Sequence, residues 1–184
     1  MTISLDVVVP VLNEERALPP RIGDLVEFLR ASLAEYDWRI VIADNGSTDS
    51  TSAIARRLAS EQDRVSYVRL EQRGRGRALR KVWLESRADI VGYTDVDLST
   101  DLGALVQMLK AVSEDRYDLA IGSRLKKGSR VIGRPFKREV VSRVYSLLFR
   151  TMFQTGFRDA QCGFKVLTRR AAGELVPMVV DTGW

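Results

Sequence analysis

The chain contains no histidine and only one cysteine, Cys162, in 184 residues. Without histidine there is no imidazole base, no imidazole ligand for zinc, and no Ser-His or Cys-His nucleophile pair. One cysteine excludes an internal disulfide and a thiolate metal cluster. No apolar run approaches the ~18–20 residues needed to cross a bilayer. The first residues, Met1 to Val9, include Asp6 and no leading basic stretch, so no secretory signal is expected. Any catalysis must therefore rest on carboxylates, Arg, Lys and a bound metal.

At this length one domain with a substantial core is expected. The net charge of +5 is unevenly spread. Residues 124–170 hold 13 Lys or Arg against Glu139 and Asp159, a local charge of +11, and the remainder sums to −6. The basic segment suits phosphate, anionic lipid or nucleic acid, and the plainer alternative is a solvated basic face.

Apolar runs alternate with helical spacing. Ile3–Val9 predicts a buried strand ending at Pro10. Leu18, Ile22, Leu25, Val26, Leu29 and Leu33 predict a helix. Arg39–Ala43 predicts a second strand, followed by the turn Asp44-Asn45-Gly46-Ser47-Thr48-Asp49 and a helix through Ala53, Ile54 and Leu58. Val65–Leu70, a helix over Arg75–Glu85 and a strand over Asp89–Thr94 follow. Ser99 or Thr100 is expected to cap a helix over Asp101–Val112, and Asp118–Ile121 is a further strand. This alternation predicts an α/β fold with a mostly parallel sheet covered on both faces. Ligands bind such sheets outside the carboxyl ends of the strands.

Three polar junctions fall at that edge, after Val9, Ala43 and Thr94. The third carries Asp95-Val96-Asp97. In an extended backbone, residues i and i+2 project to one side, so Asp95 and Asp97 are candidates for one hard cation, Mg²⁺ or Mn²⁺. Composition alone predicts about one Asp-x-Asp pair in such a chain, so placement carries the weight. Gly74-Arg75-Gly76-Arg77-Ala78 matches neither a dinucleotide fingerprint nor a Walker loop. Its arginines and glycines nevertheless suit an anionic ligand. Asp44 is either an acceptor for a base or ribose, or an Asx-turn residue. Asn13-Glu14-Glu15 reads as donor loop or acidic helix start, and Arg124 as a phosphate ligand or a surface arginine. Lys137 to Phe153 predicts a helix with a wide apolar face flanked by Lys137, Arg138, Arg143 and Arg150. An in-plane membrane helix and a core-packed helix fit that pattern equally.

Together, Val7–Glu15, Asp44–Asp49, Arg73–Ala78, Thr94–Asp97 and Gly122-Ser123-Arg124 resemble the family 2 glycosyltransferases with a GT-A fold. Arg158-Asp159-Ala160-Gln161-Cys162-Gly163-Phe164-Lys165 is similar to the narrower group that makes polyprenyl-phosphate sugars, especially the dolichyl-phosphate β-glucosyltransferases. The resemblance implies a single domain, with a donor half at 1–123 and a basic acceptor half at 124–184. Pro10, Leu12, Asn13, Glu14 and Asp44 would hold the nucleoside of a UDP- or GDP-sugar, with Gly74 and Gly76 close to the donor. Asp95 would sit near ribose and metal, and Asp97 would ligate the metal. Arg124, Arg130, Gln161 and Lys165 would receive the acceptor. Family members often carry Gln or Gly soon after the carboxylate pair, where this chain has Leu98-Ser99-Thr100. Relatives continue past a Trp such as Trp184, so the acceptor half is expected to be C-terminally incomplete.

The resulting expectation is an inverting, metal-dependent transfer of a hexose, glucose from UDP-glucose, to a polyprenyl phosphate at the cytoplasmic face of a membrane. Catalysis would fall to Asp95, Asp97 and Arg124. A phosphate nucleophile is already ionised near neutral pH and needs no base, which accords with the missing histidine. The alternatives are a GDP-mannose donor, a saccharide hydroxyl acceptor, or a non-catalytic module binding anionic membrane or RNA. The aromatics Phe136, Tyr145, Phe149 and Phe153 fall at helical spacing rather than as base-stacking platforms, so no nucleic-acid partner is expected.

Overall fold

The computed structural model describes residues 2–123, 136–156, 159 and 162–180, with backbone only for 136–140. Strands β1 (Ser4–Val11), β2 (Asp37–Asp44), β3 (Val65–Arg69) and β4 (Ile90–Tyr93) alternate with helices α1 (Leu18–Ser32), α2 (Thr51–Glu61) and α3 (Arg75–Glu85). Then follow α4 (Gly103–Ser113), β5 (Leu119–Ile121), α5 (Phe136–Phe153), β6 (Lys165–Thr168), α6 (Arg169–Leu175) and a 3₁₀ turn at Val176–Met178. The sheet order is β3-β2-β1-β4-β6-β5. The β1–β2, β2–β3 and β1–β4 pairs are parallel, whereas β6 runs antiparallel to both β4 and β5. The expected mostly parallel α/β sheet is therefore present.

Strand alternation divides the core into two layers. Leu5, Val7, Val9 and Val11 of β1 face one way, packing with Leu18, Ile22 and Leu25 of α1, Ala55 of α2 and Leu105 and Leu109 of α4. Val8 faces the other way, with Val41, Ala43 and the α3 residues Ala78, Leu79 and Val82. On that second face, α6 covers Val91 and Leu167 through Ala171 and Ala172. Period-two side-chain alternation on a sheet buried on both faces produces the near-continuous apolar strands seen in the sequence. Asp6 is a charged exception within β1, and it is buried. Arg39, its register partner on β2, grips it with both Nε and Nη2 (3.0 and 2.7 Å), and Ser86 Oγ donates to it at 2.7 Å.

Several boundaries moved for physical reasons. β1 continues through Pro10 rather than ending before it. Val8 C=O accepts from Thr94 N–H, and Val11 C=O accepts from Asn45 N–H on the β2 side. By parallel-ladder alternation, Pro10 faces β4, whose pairing with β1 has already ended at Val8–Tyr93. The missing proline N–H thus falls where no ladder partner is needed. α4 starts at Gly103, and neither Ser99 nor Thr100 caps it. Asp101 Oδ1 instead accepts from Gly103 N–H at 2.9 Å. Strand β6 was not expected at all, and it separates β5 from β4.

The core-packed reading of the 137–153 helix does not hold for its described part. None of the described side chains of α5 (141–153) is buried. Leu147 is 60% exposed and Met152 73%. Tyr145, Phe149 and Phe153 form a ladder along the helix, with ring centroids 6.2 and 4.9 Å apart. Among the described residues no helix is long and apolar enough to cross a membrane.

Candidate active site

From β1 the chain runs outward to β2 and β3, then returns to place β4 on β1's other side. The crevice above the carboxyl ends of β1 and β4 is therefore the topological switch point, where open α/β sheets bind ligands. The Pro10–Glu15 loop leaves β1 there, and Asp95 and Asp97 follow β4.

Hydrogen bonds join the loops after β1 and β2 into one unit. Asn13 N–H donates to Ser47 Oγ (3.0 Å), and Asn13 Oδ1 accepts from Thr48 N–H (2.8 Å). Glu14 N–H donates to Thr51 Oγ1 (2.7 Å), and Glu15 Oε2 accepts from Ser50 N–H (3.1 Å). Asn13 has φ 56°, a left-handed backbone that asparagine tolerates better than most residues. Leu12 and Asn13 are exposed at the crevice, and Pro10 and Glu14 are half-buried. The loop after β3 joins the same unit: Gly74 N–H donates to Asn45 Oδ1 at 2.7 Å. Gly74 has φ 147°, a region open essentially to glycine alone, and it turns the chain into α3. Gly76 is the second residue of that helix.

Asp44 is fully buried at the root of this unit, 0% exposed. Its Oδ1 accepts from Ser47 N–H (2.9 Å). Its Oδ2 accepts from Ser52 Oγ (2.5 Å), Tyr67 Oη (3.0 Å) and Arg69 Nη1 (3.3 Å). Burial pushes this carboxyl up, but hydrogen bonds from Ser47, Ser52 and Tyr67 outweigh it and hold the group below the ordinary carboxylate range. Asp44 Oδ1 closes a side-chain turn onto the amide three residues on, one longer than an Asx-turn, and both its oxygens are engaged within the protein.

The carboxylate pair does not lie on an extended strand. β4 stops at Tyr93, and Leu98 N–H returns to Asp95 C=O (3.1 Å), closing a turn. Leu98 has φ 49°, uncommon for a bulky residue, while its side chain packs against the main core. Val96 is buried between the pair, leaving Asp95 half-buried and Asp97 exposed. Asp97 Oδ1 accepts from Ser99 N–H at 3.0 Å. Arg75 Nη2 donates to Asp95 Oδ1, so the arginine-glycine loop reaches the pair directly. The Arg75 guanidinium also lies 5.5 Å from the Tyr93 ring centroid, and Lys165 Nζ lies 5.6 Å from it.

Lys165 is the β6 partner of Tyr93, so the antiparallel strand carries it to the end of β4. Sequence reasoning placed Lys165 on the acceptor side but did not anticipate Tyr93, the Arg75–Asp95 pair or Gly163, which abuts Asp95. Tyr93 stands two residues before the pair, and Gly163 lies inside the Arg158–Lys165 motif. Those positions are the signals that could have found them. Arg124, Arg130 and Gln161 lie outside the described residues.

Among the described residues, no group of three or more His, Cys, Asp or Glu side chains could hold a metal by itself. Asp95 and Asp97 supply two hard oxygen donors on an open loop. That set suits a divalent cation taking its other ligands from a diphosphate and water.

A profile described as glycosyl transferase family 2 matches residues 6–176. The chain belongs to glycosyltransferase family 2. It is 38% identical over 183 residues to glycosyltransferase AglD of Haloferax volcanii, covering 99% of this chain and 29% of that protein. It is 28% identical over 193 residues to the dolichyl-phosphate beta-glucosyltransferase of Dictyostelium discoideum, covering 99% of this chain and 59% of the relative. The chain thus spans less than two thirds of either relative. Among solved structures, it resembles glucosyl-3-phosphoglycerate synthase from Mycobacterium tuberculosis in complex with Mn²⁺, UDP and phosphoglyceric acid. The TM-score is 0.65 at 23% identity, covering 91% of this chain and 56% of that one. The fold is GT-A.

Proposed function

We propose that this family 2 domain is the donor-binding and transfer unit of a polyprenyl-phosphate hexosyltransferase. The observation that carries this reading is the Asp95–Asp97 turn at the β1/β4 switch point, tied through Arg75 to the joined loops after β1, β2 and β3. A divalent cation held by Asp97 and Asp95 would supply charge neutralisation for the departing nucleotide diphosphate. The Pro10–Glu14 loop borders the nucleoside. Arg75 stands beside Asp95, where a guanidinium can meet a diphosphate oxygen. Lys165, with Arg124, Arg130 and Gln161, serves the acceptor. A polyprenyl phosphate has its second pKa near ~6 and arrives ionised, so its oxygen can attack the anomeric carbon in a single inverting displacement without a protein base.

The similarity to a dolichyl-phosphate beta-glucosyltransferase supports a lipid-phosphate acceptor and glucose as the hexose. The M. tuberculosis fold relative bound to Mn²⁺ and UDP supports a UDP-sugar with a divalent cation. Thermal unfolding with UDP- and GDP-sugars, with and without Mn²⁺, tests the donor. Metal-dependent stabilisation by UDP-glucose is expected. Stabilisation by GDP-mannose alone would replace the sugar, and no response to any donor would overturn the transferase reading.

The exposed apolar ladder of α5, flanked by Arg143 and Arg150, supports in-plane contact with an anionic membrane that brings the acceptor to the site. Leu147→Glu is expected to cut co-sedimentation with phosphatidylglycerol-containing vesicles several-fold. Because Leu147 is exposed, stability should stay within about 0.5 kcal/mol. Unchanged sedimentation would remove α5 from the membrane surface.

A further inference from the structure

We infer that Gly163 is a positioning residue for Asp95, and that its missing side chain couples the acceptor-side motif to the donor metal site. A Cβ built on Gly163 would overlap Asp95 Oδ2. It would also lie 2.9 Å from Asp95 Cγ and 3.2 Å from Oδ1. Ordinary contact between carbon atoms begins near ~3.5 Å. All three of its nearest neighbours are atoms of that one carboxylate.

Backbone conformation does not explain the glycine. Among the described residues the positive-φ glycines are Gly46 and Gly74. Alanine therefore suits the Gly163 backbone, and the collision with Asp95 is the obstacle.

The loop carrying Gly163 has little room to retreat. Cys162 and Phe164, on either side, are each 1% exposed and belong to the main core. Cys162 N–H donates to Asp159 C=O (3.1 Å), and Phe164 C=O accepts from Gly122 N–H (2.9 Å). On its other side, the Asp95 carboxylate is held by Arg75 Nη2. Asp95 is thus clamped between a guanidinium and a bare stretch of backbone, while its side chain stays partly exposed. An added methyl group pushes the carboxylate out of this slot rather than moving the loop. Two residues beyond Gly163 is Lys165, so displacement of the acceptor-side segment is transmitted to Asp95 through direct contact.

The inference rests on the metal role assigned to Asp95 above, and two independent readouts separate the claims. The first is the affinity of the 184-residue chain for UDP and for GDP, with and without Mn²⁺. Gly163→Ala should weaken Mn²⁺-dependent nucleotide binding about tenfold or more, as loss of an orienting partner does at metal sites, and leave metal-free binding unchanged. The second is a urea-unfolding cycle with Asp95→Ala. Gly163→Ala should lower the unfolding midpoint in the wild-type background and cost nothing when residue 95 has no carboxylate to strike. If Gly163→Ala alone fails to fold while the double variant folds, the contact is supported. Equal destabilisation in both backgrounds, or failure of both to fold, overturns it in favour of a merely structural glycine. Loss of Mn²⁺-dependent binding in Asp95→Ala but not in Gly163→Ala overturns the positioning role alone. Retention of that binding in Asp95→Ala overturns the metal role and the inference with it.

Discussion

Asp97→Asn is expected to reduce metal-dependent transfer by at least about a hundredfold while the fold persists, the scale seen when one preorganised charge-stabilising group is lost. Asp97 is exposed on the turn after β4, and its Oδ1 accepts from Ser99 N–H. Asparagine retains that acceptor and shape, so the turn closes as before. What disappears is the negative charge offered to a hard cation, and a neutral amide is a far poorer oxygen donor for Mg²⁺ or Mn²⁺. The stability change should stay within about 0.5 kcal/mol, as for other exposed substitutions. Transfer from UDP-glucose to a polyprenyl phosphate, Mn²⁺-dependent stabilisation by UDP and urea unfolding, measured on one preparation, separate these effects. Wild-type transfer by the variant would remove Asp97 from the metal site. Loss of the fold would show that the turn, not the cation, needs the carboxylate.

Asp44→Ala should be the most destabilising single change near the site, costing about 3 kcal/mol, typical of removing one partner from a buried charged network. The alanine would leave Ser47 N–H, Ser52 Oγ and Tyr67 Oη without their acceptor, and the partly exposed Arg69 guanidinium with only the exposed Glu71 as counter-charge. The damage should reach the crevice, because Ser47 also receives Asn13 N–H. Weaker nucleotide binding with or without metal is therefore expected, in contrast to the metal-specific effect of Asp97→Asn. Urea midpoints and nucleotide affinities check both parts.

The same carboxyl gives the stability a pH dependence of defined sign. Hydrogen bonds hold Asp44 below the ordinary carboxylate range against the upward push of burial. Donation from Ser4 backbone and hydroxyl groups lowers Asp89 as well. A depressed folded-state pKa contributes stability that is present above the unfolded value, near ~3.9, and is lost as pH falls through the folded value. Unfolding midpoints should therefore drop below about pH 4, and Asp44→Asn should flatten that drop. A slope unchanged by Asp44→Asn would assign the acid sensitivity elsewhere.

The legible parts of the fold were those set by local periodicity. Helix α1 begins where the apolar spacing places it, and β1, β2 and β4 appear because sheet strands buried on both faces read as near-continuous apolar runs. The parts that were not legible depend on distant partners. Four-residue β6 acquires its ladder from β4 and β5, far away in the chain, and nothing in Lys165–Thr168 alone specifies an antiparallel insertion. The fate of Pro10 depended on where β4 stops. Amphipathic patterning left α5 divided between core and membrane surface, because the pattern records a face and not what covers it.

At the site, the residue types were readable and their relations were not. The absence of histidine, the Asp95–Asp97 pair, the arginine-glycine loop and the Asp44–Asp49 turn determined a chemistry of carboxylates, cations and phosphate, because side-chain chemistry is carried by composition and short motifs. Tertiary structure alone decided that β4 would lie beside β1, bringing the turn after residue 94 to the same sheet edge as the loop after β1. It likewise decided that Arg75 would grasp Asp95, that Asp44 would turn inward, and that Gly163 would stand against the carboxylate. Those choices depend on which backbones approach within van der Waals and hydrogen-bond range across long sequence separations, a property of the packed chain rather than of any segment within it.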